Sequence, residues 1–284
     1  MARALPHPGP PVLPRREVVA ARLRPVEGVL RPGEVVMDGV ARLMAEAGCV
    51  GGVLRLSGGH LAPFRYVLPA PSDDGVHAAW YSETHAPDAG GRIAEATAIV
   101  GARDGAPFLH CHGRWDTGEA TERMGHMLPF DCTVAEPITV TGLGSAAVLF
   151  EGLPDEETAF TLFTPRADGA EEGAGRRGLF LRLRPNEDVC GAVEAAAAEA
   201  GLRNAEVLGI GSINEVVFED GRRVSCHATE IAIENGRIGA GRARLDVSVV
   251  DIAGTVHRGR LVQGDNPVGV TFELVIAGSE ETGS

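Results

Sequence analysis

Apolar residues recur at helical spacing in two stretches of this chain. Val36, Val40, Leu43, Met44 and Ala47 form one stripe, and Val189, Val193, Ala196, Ala197 and Ala200 form the other. Asn186, followed by acids, is the expected N-cap of the second helix, and Gly48 and Gly201 stand where a C-cap glycine belongs. The rest reads as strands broken by turn residues. In the first half these are "GGVLRLS", "FRYVLP", "HAAWYS", "IAEATAIVG", "PFLHCHGRW" and "TVAEPITV". In the second they are "AEVLGI", "ATEIAIENGRI", "ARLDVSVVDIAG" and "GVTFELVIAG". One helix followed by many strands, without regular β-α alternation, predicts an α+β fold with a largely antiparallel sheet. The proline-rich "MARALPHPGPPVLPRRE" and the terminal "GSEETGS" are expected to be solvated tails.

The pattern also repeats. "LRPGEVVMDGVARLMAEAGCVGGVLRLSG" (30–58) aligns without a gap on "LRPNEDVCGAVEAAAAEAGLRNAEVLGIG" (183–211), a shift of 153 residues. Ala45-Glu46-Ala47-Gly48 falls on Ala198-Glu199-Ala200-Gly201. A tandem duplication is the expectation, with domains at 20–144 and 176–278. Between them, 145–175 holds an extra strand, "DEETAFTLFTP", and the glycine-rich linker "RADGAEEGAGRRG".

Composition narrows the function. Among 284 residues, 44% are hydrophobic and 23% charged, the balance of a well-cored globular protein. No apolar run is long enough to span a bilayer and the N-terminus has no apolar signal core, so a cytoplasmic location is expected. The five cysteines, 49, 111, 132, 190 and 226, are scattered without a C-x-x-C pair, which argues against disulfides and zinc-thiolate sites. The formal charge is −13, and both halves are acidic: 14 Arg against 23 acids in residues 1–173, 12 against 16 in the rest. Such a field repels nucleic acid, although it does not forbid a local basic patch.

The candidate chemistry lies in "FLHCHGRWDTGEATERMGHML" (108–128). In a strand, residues two apart share a face, so His110, His112 and Arg114 point one way and Cys111, Gly113 and Trp115 the other. His126 returns after a turn-prone segment, next to Gly125. Three histidines without cysteine is the composition of an open zinc site, although imidazole also suits iron, copper or nickel. The second copy is an internal control. "RLDVSVVDIAGTVHRGRL" (244–261) keeps the spacing at a shift of 134, with Arg244, Asp246 and Arg260 in place of the histidines. Two arginines around an aspartate form a charge cluster or hold an anion, so this copy is expected to be metal-free.

The helix after a "GE" start, the "GIGS" turn, the H-x-H strand and the G-H return resemble the plant-and-prokaryote-conserved (PPC) domain family. The resemblance covers about 20–144 with the triad intact and 176–278 with it lost. "SGGH" (57–60) departs from the family's usual turn and leaves His60 near the site without a family role. The resemblance implies two copies of an α+β fold, each with about seven mostly antiparallel strands. It also implies homotrimers and zinc on His110, His112 and His126 near a subunit interface. The association of the family with DNA comes through an AT-hook in plant members, and Arg-Gly-Arg-Pro is absent here; "HRGRL" is the nearest stretch. More distantly, acetolactate decarboxylase and a zinc-dependent ester hydrolase share the fold.

The leading expectation is therefore a zinc-dependent lyase or hydrolase, or a binder, acting on a small carboxylate or carbonyl metabolite. Arg114 and His60 are the candidate substrate-binding residues. Glu136 and Glu122 are the candidate acid-base groups, with Glu119 and His85 as further possibilities. Trp80 and Tyr81 are candidates for the pocket wall. A DNA-associated regulator with structural zinc and a non-catalytic scaffold are the alternatives.

Overall fold

A computed structural model describes residues 4–169 and 174–279. Its first elements are β1 (Arg16–Leu30), α1 (Val36–Glu46), β2 (Gly51–Ser57), β3 (His60–Leu61), β4 (Tyr66–Val67), β5 (Pro69–Ala70) and β6 (Trp80–Tyr81). Next come β7 (Gly91–Arg103), β8 (Ala106–Asp116), β9 (Arg123–Met127), β10 (Val134–Glu136) and β11 (Ile138–Ser145). A hairpin of β12 (Val148–Pro154) and β13 (Thr161–Ala167) follows. The remainder is β14 (Arg176–Leu183), α2 (Val189–Glu199), β15 (Ala205–Ile213), β16 (Val216–Val217), β17 (Arg223–Val224), β18 (Glu230–Gly239), β19 (Arg242–Val250), β20 (Val256–Arg260) and β21 (Val268–Gly278). No helix among the described residues is long and apolar enough to cross a membrane.

The architecture is α+β and mostly antiparallel. Both helices form where the apolar spacing places them, burying Val36, Val40, Leu43 and Met44 in one and Val189, Val193, Ala196 and Ala197 in the other. Gly48 and Gly201 follow the helix ends at positive φ, the backbone that glycine adopts without strain. The cap of α2 differs from expectation. Asp188, not Asn186, accepts the Gly191 N–H at 2.7 Å. Asn186 instead sits at positive φ and exchanges hydrogen bonds with the backbone of Leu5.

Strand pairing runs β1-β11-β2-β7-β8-β9 in the first half. In the second half it runs β14-β21-β15-β18-β19-β20. The two rows are not separate sheets. The fifteen residues of β1 pair with β11 through Arg24–Leu30 and with β14 through Arg16–Leu23, so that seventeen strands form one hydrogen-bonded network. Each long hairpin turns through two residues at positive φ, Asp104-Gly105 and Ala240-Gly241, as a tight right-twisted hairpin requires.

Each row of strands packs a helix on one face. The opposite faces meet each other through Ile99, Met124, Leu208, Ile210, Ala232 and Val275, and the β12–β13 hairpin closes the side of this layer with Val148, Phe150 and Phe163. Each of the larger side chains removed from water contributes about 1.5–3 kcal/mol. Strand β12 joins β7 in parallel and β13 antiparallel.

The N-terminal segment is not a frayed tail over its described residues. Leu5 is buried, the His7 ring bonds the Gly269 carbonyl at 2.9 Å, and Arg15 pairs with Glu157 at 2.6 Å. Beside them Asp155, in the turn between β12 and β13, holds Arg182 at 2.8 Å and Arg184 at 2.7 Å, all three nearly sealed from water. This ionic cluster anchors the hairpin turn to β14. The linker shortens accordingly, because Arg166 belongs to β13 and Arg176 opens β14. The final residues of "GSEETGS", 280–284, lie outside the described residues.

Candidate metal centre

Pairing of β8 with β9 sets His112 opposite His126, and Gly113 opposite Gly125. The β8 face carrying Cys111 and Trp115 packs on the α1 side, both residues being at most 1% exposed. The histidine face therefore looks into the layer between the two rows of strands. There it meets β18 and β21 of the second half, which supply two carboxylates.

The geometry fixes the protons. The His112 Nδ1 lies 2.9 Å from the Ile231 carbonyl, which only accepts, so Nδ1 donates and Nε2 presents its lone pair. The His110 Nδ1 donates to Glu273 at 2.6 Å, which turns its Nε2 toward that of His112, 2.9 Å away. Glu230 Oε2 approaches His112 Nε2 at 2.5 Å. His112 is fully buried, and the buried Nδ1 of His126 has no partner.

One ligand atom from each of His110, His112, His126 and Glu230 lies within 4.8 Å of all the others. Lone pairs converging at such distances repel unless a proton or a cation lies between them. Tetrahedral bonds of about 2.0–2.1 Å set neighbouring ligand nitrogens about 3.3 Å apart, so a small outward movement of the two rings accommodates a metal. Histidines whose second nitrogen donates to a carboxylate or carbonyl, as here, are pre-oriented for ligation.

Electrostatics agree. Burial first, and then the electrostatic influence of the neighbouring His110 and His112, hold His126 well below the ordinary histidine range, so its lone pair is free. Burial alone would lower His110, but Glu273 and then Glu230 outweigh it and raise it. Tyr81 lies 5.1 Å from His126, ring to ring. Although 38% of this residue is exposed, desolvation of its phenol, followed by the charges of Glu230 and Glu273, pushes it up and keeps it a proton donor.

Two cavities open on the cluster. The smaller, about 60 Å³, joins His110 and His112 to Ser212, His227, Thr229 and Thr271 of the second half. The larger, about 500 Å³, runs past His110, His126 and Glu273 between Trp80, Tyr81, Phe108 and Phe160. Trp80 and Tyr81 thus stand at the pocket wall.

The other sequence candidates lie elsewhere. Arg114 is engaged by Glu122 at 2.7 Å, Glu234 at 2.7 Å and Glu95 at 3.4 Å, so a clamp on a substrate carboxylate is not open to it. Glu122 is held between Arg114 and Arg258. Glu136 pairs with Arg92 at 2.9 Å on the surface, beside the β3 strand that carries His60, and neither lines the two cavities. His85 stacks on Tyr66, and Glu119 pairs with Arg123. In the second half, Asp246 and Arg260 stand opposite each other in the register of His112 and His126, joined at 2.8 Å, while Arg244 is exposed and outside the pair.

Glu230 and Glu273 were not foreseen, nor was the share of the second half in the site. A signal for Glu273 existed, since a lone carboxylate within "VGVTFELVIAG" must find a partner once that strand is buried.

Residues 170–280 match the Plants and Prokaryotes Conserved (PCC) domain. This is the family that the sequence motifs resemble. The PCC match covers the half that supplies the carboxylates, not the stretch with the three histidines. The chain is also similar to a PPC protein of Pyrococcus horikoshii, at 16% identity and a TM-score of 0.39, over 51% of this chain and 93% of that one. A metal-containing protein of Archaeoglobus fulgidus gives 17% and 0.38, over 49% and 92%. A candidate DNA-binding protein of Ralstonia eutropha JMP134 gives 17% and 0.35, over 49% and 89%. No curated protein matches the chain.

Proposed function

We propose that this chain is a zinc-binding protein whose metal, held by His110, His112 and His126 with Glu230 beside them, acts on a small carboxylate or carbonyl metabolite. The reading covers a metal-dependent lyase or hydrolase as well as a binder. It rests on one observation: four ligand atoms converge in a buried pocket with the outer nitrogens of His110 and His112 already committed. The donor set, three imidazoles and one carboxylate, fits zinc. When bound, the ion supplies Lewis acidity toward an oxygen donor. Glu273 and the Ile231 carbonyl hold two ligands in one tautomer. The Tyr81 phenol is placed to donate a proton at the pocket, and Glu230, whenever substrate or water takes its place on the ion, to accept one.

We read the chain as a tandem duplicate, 20–144 and 176–278 joined by 145–175. The matching strand order, the paired turns and the common register of 112–126 and 246–260 support this. By the same register, Arg92 occupies the position of Glu230 and Thr139 that of Glu273. One copy thus keeps the histidines and the other the carboxylates, which makes a single composite site per chain. The trimer that the resemblance implies would have to form through other surfaces, because the inner sheet faces are covered within the chain.

Metal analysis of the purified protein and of His112→Ala, followed by a thermal-shift screen of small carboxylates and carbonyl compounds, tests the reading. About one zinc per chain, lost in the variant, is expected. Wild type that arrives without metal and takes none up on addition would refute it.

A further inference from the structure

The proposed metal pocket has two adjoining compartments of different size that share Trp80, Tyr81 and Phe160, and their form points to the shape of the ligand. The smaller carries the hydroxyls of Ser212, Thr229 and Thr271 from the second half, among apolar neighbours. At about 60 Å³ it takes only a compact group. The larger, about 500 Å³, is bounded by flat rings. Trp80 stacks on Phe160 with centroids 5.5 Å apart and planes inclined by 23°, and His77 contacts both rings at 4.6 and 4.5 Å. Phe108 lies across the cavity, edge-on to Phe163 at 5.9 Å.

Phe108 and Phe163 belong to or pack on the core, but Trp80 and Phe160 are not core filler. Trp80 is 45% exposed, whereas Trp115, the other tryptophan, is fully buried. Exposed aromatic surface beside a candidate metal is costly to leave wet and is suited to cover a planar ligand. Charge limits the chemistry further. The one carboxylate lining this compartment, Glu273, is committed to His110 and Thr271. It is therefore not free to recruit a cationic ligand.

We propose that the ligand is an aromatic oxygen donor. Its carbonyl, carboxylate or hydroxyl oxygens face the metal, and its ring lies between the Trp80–Phe160 stack and Phe108. The proposal rests on the reading of His110, His112 and His126 as a metal centre. It narrows that reading from any small oxyanion to one with a planar body. Phe160 comes from the β12–β13 hairpin, so this insertion between the two halves acts as a specificity element as well as a side wall.

The test uses two zinc-binding probes with the same head and different tails, benzohydroxamate and acetohydroxamate, titrated calorimetrically into the zinc-loaded full chain. Benzohydroxamate is expected to bind at least about tenfold more tightly, a preference in the range of aromatic contacts plus ring burial. It should also quench the fluorescence of Trp80, with Trp80→Phe identifying the responding ring. Phe160→Ala and Trp80→Ala should each reduce the preference severalfold, weakening benzohydroxamate far more than acetohydroxamate and leaving zinc content unchanged. Equal affinity of the two probes for wild type, or a preference that survives both substitutions, overturns the aromatic assignment while the metal reading stands. A chain that takes up no zinc, or a zinc-loaded chain that binds neither probe, removes the metal-pocket reading and the ligand class with it.

Discussion

Glu273 offers the sharpest perturbation because its substitution separates charge from shape. Its carboxylate is 1% exposed, receives the His110 Nδ1–H at 2.6 Å and accepts from the Thr271 hydroxyl at 3.1 Å. Glu273→Gln keeps the volume and leaves one oxygen to accept from His110, while the Thr271 hydroxyl can rotate to receive the new amide. What disappears is the negative charge that raises the basicity of the ligand. Outer carboxylates of this kind are worth about 10–100-fold in metal affinity. That range corresponds to about 1.4–2.8 kcal/mol. Zinc affinity is measured by competition with a chromophoric chelator near pH 7.5, alongside denaturant unfolding of the metal-free forms. His112→Ala serves as the reference for complete loss. If Glu273→Gln binds zinc within about threefold of wild type while His112→Ala does not bind, Glu273 merely fills space and the outer-ligand argument is wrong.

Asp155 sits between two buried arginines that also share Glu17, so Asp155→Ala removes one of their partners without stranding them and should cost about 1.5–3 kcal/mol in denaturant unfolding. Burial alone would raise the Asp155 carboxyl, but Arg182 and the hydrogen bonds from Arg182 and Thr158 bring it from its ordinary 3.8 down to about 2. Its stabilisation, about 2 kcal/mol, is therefore complete above about pH 4 and is lost as the pH falls through 2. Urea midpoints measured between pH 6 and 2.5 should fall less steeply in Asp155→Asn than in wild type. A Cβ on Gly101 would overlap the Phe150 carbonyl where β7 meets β12, so Gly101→Ala should lose about 1–3 kcal/mol by thermal unfolding. Asp246→Ala removes a half-exposed pair with Arg260, and a change of about 1 kcal/mol or less with unaltered zinc content is expected.

Much of the fold was legible because it follows from local periodicity. The two helices form where the stripes predicted them, and β2 coincides with "GGVLRLS". The histidine arrangement was legible for the same reason. An H-x-H on one strand and a return past a glycine place three imidazoles on one face, and cross-strand pairing of His112 with His126 completes that geometry. The carboxylates were not legible, since Glu230 and Glu273 reach the cluster only through face-to-face packing of strands more than a hundred residues apart. Arg114 misled because face alternation says where a side chain points but not what waits there. Three glutamates do, one of them Glu234 of the second half. The N-terminal segment misled because its prolines suggested solvent exposure. The strap they shape is fastened by His7, Arg15 and Glu157, contacts that no local pattern encodes.

If the chain is a tandem duplicate, as proposed, the division of the proposed ligand set between the halves bears on why only one copy carries a histidine triad. In a site built inside a single domain, a duplicate would be free to lose its residues in any combination. In a site built across a seam, the losses are coupled. Once His110, His112 and His126 use Glu230 and Glu273 from the other half, the reverse site would need Arg244, Asp246 and Arg260 to be histidines, with carboxylates at 92 and 139. Those two positions hold Arg92 and Thr139. On the proposed reading, both halves of the reverse site are therefore missing and both halves of the forward site are present. A structural zinc staple confined to the first domain gives no reason for Glu230 and Glu273 to stay, because burying two carboxylates in the second half is costly unless they meet a cationic partner. Their partner lies across the seam, and the pocket opens there.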